Sequence, residues 1–178
     1  MPLQSEEFVA KAMGCAAEPL EQLKRSMAGE FLRTTGFLQL KVLGQSMLPT
    51  IWPGDLLTIL NEPWTEFGIG DVGVFQRDER FFVHRIKGTL VIDGAMHFIT
   101  AGDSSGHDDP PFPTTALVGK VVKIERRDLS LIPRRRCSLF NRCLGWMFAH
   151  CDLARNLALR FHAMRRQQAR LSLREESA

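Results

Sequence analysis

The sequence predicts a mainly β protein, an antiparallel coiled sheet or barrel flanked by N- and C-terminal helices. Three observations carry that expectation. From Gly36 onward, short β-like runs follow one another, each bounded by Gly, Pro or Asp. No helical periodicity interrupts them until residue 138. Both ends of the chain, by contrast, place apolar residues at helical spacing.

Taken in order, residues 5–34 read helical. Phe8, Val9, Ala12 and Cys15 sit near a 3.6 period, Pro19 opens a second segment, and Leu20, Leu23, Met27 and Phe31 continue the stripe. The strand candidates are FLQLKVL, DLLTIL, DVGVFQ, FFVHRI, LVID, MHFITA and LVGKVVKIE. Asp93–Gly94 is a hairpin signal, because a type I′ turn needs positive φ at both central residues and these two types tolerate it. Phe140, Leu144, Met147, Cys151, Ala154, Ala158 and Phe161 give a helix over 138–170, with the final LSLREESA expected to fray. The chain thus divides into a helical segment (1–35), a β domain (36–133) and a basic amphipathic helix with its tail (134–178). No internal repeat is visible.

A chain of 178 residues with 44% apolar content builds one core. No run approaches the roughly 18 apolar residues of a membrane-spanning helix. The opening MPLQSEEFVAKAMG places acids before its apolar residues and has no basic start, unlike a secretory signal. The four cysteines, at 15, 137, 143 and 151, form no CxxC pair, which points to reduced thiols, a cytoplasmic setting and burial as small hydrophobes. Zinc on Cys143, Cys151 and His150 would lack the spacing of a structural site, and no metal or cofactor is expected. Charge is unevenly spread: from Arg134 onward ten arginines face three acids, a net of +7, which leaves −4 on residues 1–133 of a chain totalling +3. An acidic body with a basic tail suggests docking. Arg134–Arg136 precede a helix with Trp146, Phe148 and Phe161 among its apolar residues and Arg142, Arg155, Arg160, Arg165 and Arg166 among its polar ones. Such a helix can lie in a membrane interface. Packing on the β-body with a solvated arginine face is the commoner outcome, and Cys143, Met147 and Cys151 on the stripe favour it. No groove-reading motif accompanies the arginines, so nucleic acid is not expected.

The chemistry centres on GQSMLPT, residues 44–50, and on Ser46. A loop serine is a nucleophile only if a base takes its proton and a third group orients that base. FFVHRIKG alternates, so His84 and Phe82 face opposite to Val83 and Arg85. ITAGDSSGHDDPPF then places Asp103, Asp108 and Asp109 in a Gly/Ser/Pro loop. His107 in that loop is a competing base, His97 lies on a strand opposite it, and His150 and His162 read as solvated or interfacial.

The ordered series GxSMxPT, PGD, GDVGVF, VHRI, TxGDxxxxDD and VGKVV resembles the signal-peptidase and LexA-like clan of serine proteases over residues 36–126. It is nearest the type with His where the bacterial enzymes have Lys, and the soluble members that carry a GD…DPP loop. The resemblance implies a signal-peptidase-like (LexA-like) fold with Ser46 as nucleophile and His84 as general base. It makes Asp109 the carboxylate orienting His84, and Asp103 an acid that shapes the loop and assists. It further implies a peptide or protein substrate, such as a cytosolic leader, bound extended beside a sheet edge, with small residues before the cut. Two departures stand out. Gly44 occupies the place of a small hydroxyl residue that helps bind the oxyanion, and Ser104–Ser105 replace asparagines. Two other readings remain. One is a self-cleaving repressor-like regulator, whose first 40 residues would need a helix-turn-helix but lack basic recognition residues. The other is a catalytically idle peptide-binding module.

Overall fold

The computed structural model describes residues 27–175 apart from 78, 79 and 128, with no side chain described at 166 or from 169 onward. The expected helix over 5–34 lies outside the described residues as far as residue 26, as does Cys15. Its end is helical over 27–35 (α1) and delivers a fully buried Leu32 to the core. Eight strands follow: β1 (Phe37–Lys41), β2 (Leu56–Leu60), β3 (Val72–Arg77), β4 (Arg80–Ile92), β5 (Ala95–Ala101), β6 (Phe112–Pro113), β7 (Leu117–Arg126) and β8 (Leu129–Leu131). They form one antiparallel sheet in the order β1-β2-β7-β3-β4-β5-β6, with β8 on β7. β7 carries β2 along one edge and β3, then β8, along the other, and β1 stands at one end of the order.

Two expected strands, FFVHRI and LVID, are one 13-residue strand, β4. Gly88 reads as a break in the sequence. Instead the register against β5 shifts between Ile86 and Gly88, so that Lys87 bulges and the strand bends without ending. The Asp93–Gly94 turn that follows has φ of 50° and 78°, the geometry its sequence signals. β6 and β8, of two and three residues, are too short to show a period and were not expected.

Both faces of the central strands are covered, which is why VGVF and FFVHRI are apolar at nearly every position. Val72 and Val74 face Leu32, Met47, Ile51 and Ile59, joined by Phe81 and Val83 of β4. Phe75, Ile86, Phe98 and Phe112 form the second cluster, with Phe82 against it.

The single C-terminal helix expected from periodicity is two, α2 (Leu139–His150) and α3 (Asp152–Glu175). Ser138 caps α2 by accepting the N–H of Asn141 at 3.2 Å, and extended backbone at Cys151 separates the helices. α3 continues through most of the segment expected to fray. Packing on the body holds for one face: Trp52 meets Phe148 of α2 edge-on, at 6.4 Å between ring centroids, and stacks on His162 of α3 at 4.7 Å. Cys143 and Cys151, however, are exposed and not core residues. The packed face of α2 is set by Gly145 and Phe148, and Cys143 lies well round the helix from Phe148. No described helix is long and apolar enough to cross a membrane.

Phe75 is fully buried, with ring centroids 5.8 Å from Phe98 and 5.0 Å from Phe112. Phe75→Ala is expected to cost about 3–5 kcal/mol in urea unfolding. A loss under about 1 kcal/mol would mean that this cluster does not hold the sheet.

Candidate active site

The nucleophile turn leaves β1 and is pinned from two sides. Its apolar residues, Met47 and Ile51, enter the core, and the N–H of Ile51 donates to Met47 O at 2.9 Å. From the other side Ser104 donates its N–H to Ser46 O at 2.9 Å, and its hydroxyl meets Gln45 O and Ser46 O at 3.0 and 2.9 Å. Gly102 permits this approach, because a Cβ there would lie 2.4 Å from Ser46 O.

His84 leaves β4 in register with Gly73 of β3 and is 7% exposed. Its Nε2 lies 2.9 Å from Ser46 Oγ and its Nδ1 lies 2.5 Å from Asp109 Oδ2. With Nδ1–H donating to the carboxylate, the Nε2 lone pair faces the serine hydroxyl. The same Asp109 oxygen accepts Thr100 Oγ1–H at 2.6 Å, and the Asp109 N–H donates to Thr100 O at 2.7 Å. Burial pushes the Asp109 carboxyl up. The hydrogen bonds from His84 and Thr100 and the nearby charges of His84 and Arg77 outweigh it, holding the group below the usual carboxylate range.

Asp103 stands apart from this line. Arg85 donates Nε–H and Nη2–H to its two oxygens, each at 2.7 Å, and Thr50 donates to Oδ2 at 2.5 Å. Arg85 also donates to Gly70 O at 2.7 Å and Arg134 O at 2.8 Å. Burial works against the guanidinium charge, but Asp103 prevails and raises its pKa. Asp103 therefore shapes the loop and meets neither Ser46 nor His84 in a hydrogen bond. Cys137, 3.8 Å from Asp103, is held above its ordinary range by burial and by that carboxylate, and remains a thiol.

Among the described residues, His84 is the histidine that reaches Ser46. His107 and Asp108 are exposed, His97 bonds Ala95 O at 3.0 Å, and His150 stacks on Trp146. No three His, Cys, Asp or Glu side chains gather as a metal site among the described residues. Sequence reasoning assigned no role to Thr50, Thr100, Arg85 or Arg77, although the first three lie within the quoted runs. Arg77 clamps the loop by donating to Pro110 O and Pro111 O at 2.7 and 3.1 Å, with its guanidinium 3.7 Å from the centre of the Phe112 ring. Nor did the sequence show that α2 seats on the acid loop, where a Cβ at Gly145 would lie 2.3 Å from Asp103 O.

No protein-family model and no curated protein matches the chain.

Because the Asp109 pKa is lowered on folding, the stability it contributes is present above the unfolded value of about 3.9 and is lost as pH falls through the lower folded value. Thr100→Val removes one bond to the charged form. It is expected to cost about 2 kcal/mol near neutrality, with the deficit shrinking in acid near about pH 2.5. Urea unfolding at both pH values measures it, and a deficit independent of pH would assign Thr100 a packing role only.

Proposed function

We propose that the protein is a serine endopeptidase with a signal-peptidase-like fold, cleaving an extended peptide. The observation that carries this reading is the unbroken line Ser46 Oγ–His84 Nε2, His84 Nδ1–Asp109 Oδ2, at 2.9 and 2.5 Å. As the Ser46 oxygen attacks the scissile carbonyl carbon, its proton passes to Nε2, and Asp109 stabilises the imidazolium that forms. His84 then gives that proton to the leaving amine, and water, deprotonated by the same nitrogen, releases the acyl group from Ser46. Among the described residues no acceptor takes the Ser46 N–H, which leaves it available to the oxyanion.

The substrate path follows from the sheet. β1 has no strand on its outer edge among the described residues and runs directly towards Ser46, with Leu43, Gly44 and Gln45 exposed. A peptide added there as a strand would bring its carbonyl to the nucleophile. Gly44 favours a weaker enzyme, since one missing oxyanion donor costs about 10²–10³ in rate. It also offers a test, because nothing lies within 4 Å of where its Cβ would be and its φ is not left-handed.

In a library of peptides with small residues before the cut, Ser46→Ala should abolish cleavage with the fold intact. Cleavage at the wild-type rate by pure Ser46→Ala protein would refute the assignment. His84→Ala should likewise abolish cleavage with the fold intact, and activity that survives it would indicate another base. Gly44→Ser should raise kcat about tenfold or more by adding a hydroxyl donor. If wild type and Gly44→Ser both bind peptide without cutting it, the protein is a peptide-binding module.

A further inference from the structure

The faces of α2 and α3 turned away from Trp52 are apolar and uncovered. On α2, Leu139 and Trp146 lie opposite Phe148 and are 77% and 67% exposed. On α3, Leu153 and Leu157 lie away from His162 and are 79% and 68% exposed, with Met164 two to three turns further on. Both inner faces rest on the same indole, so the outer faces look away from the body together.

Cations lie among these residues. Among the described residues, Lys87, Arg136, Arg142 and Arg160 have no ion-pair partner. The first three converge on an open cavity of about 840 Å³ between α2, residues 134–137 and the acid loop. Trp146 and the exposed Ile69 line it with them, and Asp108 is the unpaired carboxylate that faces it. A surface that joins exposed leucines and tryptophan to unpaired arginines suits a layer that is apolar inside and anionic at its boundary. A second copy presenting the same face would bring Lys87, Arg136 and Arg142 against like charges with a single unpaired acid, Asp108, to meet them, because Asp152 is already paired to Arg155.

We propose that the outer face of α2 and α3 docks on an anionic lipid surface. Headgroup phosphates would sit at Lys87, Arg136 and Arg142, while Trp146, Leu153 and Leu157 enter the interface. The test is sedimentation of the full chain with phosphatidylcholine vesicles, with or without about a third phosphatidylserine, at about 0.15 M salt. The full chain should sediment with the anionic vesicles and stay in solution with the neutral ones. Arg136→Gln with Arg142→Gln should weaken partitioning about thirtyfold, at roughly fivefold per basic residue near the surface. Leu153→Ser with Leu157→Ser should abolish it. These side chains are exposed, so both pairs should keep the wild-type urea midpoint, and if the leucine pair fails to fold the arginine pair carries the test. Three results would overturn the proposal: unchanged partitioning of the variants, displacement by inorganic phosphate at constant ionic strength, or a dimer in solution that Leu153→Ser with Leu157→Ser dissolves.

Discussion

The ion pair between Arg85 and Asp103 is the constraint on which the rest of the site depends. Both side chains are about 5% exposed or less, so their charges have left water at considerable cost. That cost is offset only if the geometry is good and the remaining donors and acceptors are filled. Here the fork is bidentate, Thr50 bonds the carboxylate, and the carbonyls of Gly70 and Arg134 take the remaining guanidinium hydrogens that are used. One charged centre thereby ties together β4, the acid loop, the nucleophile turn and the chain leading into α2. Removing either partner would leave a buried charge alone, which is strongly destabilising.

The basic tail is joined to the same centre. Arg135 bonds Asp71 at 2.6 and 3.0 Å while its neighbour Arg134 accepts from Arg85, so residues 134–135 are fixed before α2 begins. Gly145 then brings α2 onto the Asp103 carbonyl, with no room for a side chain between them. The helices thus do two things with two faces. The inner face braces the loop that holds Asp103 and Asp109, and the outer face is left apolar and cationic.

What the sequence made legible followed from period and turn chemistry. Alternation put His84 and Arg85 on opposite sides of β4, and Asp93–Gly94 marked its hairpin. The line Ser46–His84–Asp109 was legible only as an ordered resemblance, since each residue alone has an ordinary turn or strand explanation. The lost information was of three kinds. Gly88 in a strand looks like a terminus because a bulge and a break share the same residue. Cys143 and Cys151 looked buried because residue type was weighed without knowing which face α2 would turn inward. Thr100 had no visible role because a threonine in a β-rich run already has a reason to be there, and Thr50 because a threonine in a turn does too. Only the fold brings either hydroxyl to a carboxylate.

Strand parity also explains how two carboxylates six residues apart come to serve different ends. His84 and Arg85 are neighbours, so their side chains leave β4 on opposite faces, one in register with Gly73 and the other with Val72. The group proposed to change its charge is therefore separated by a backbone from the group that must keep it. Asp103 is consumed by Arg85 and Thr50 and cannot compete for Nδ1 of His84, which leaves that nitrogen to Asp109. Asp109 in turn is fixed by Thr100 from β5 and by the Arg77 clamp on the prolines behind it. The division of labour follows from a period of two in one strand, and it would be lost if β4 slipped by a single residue.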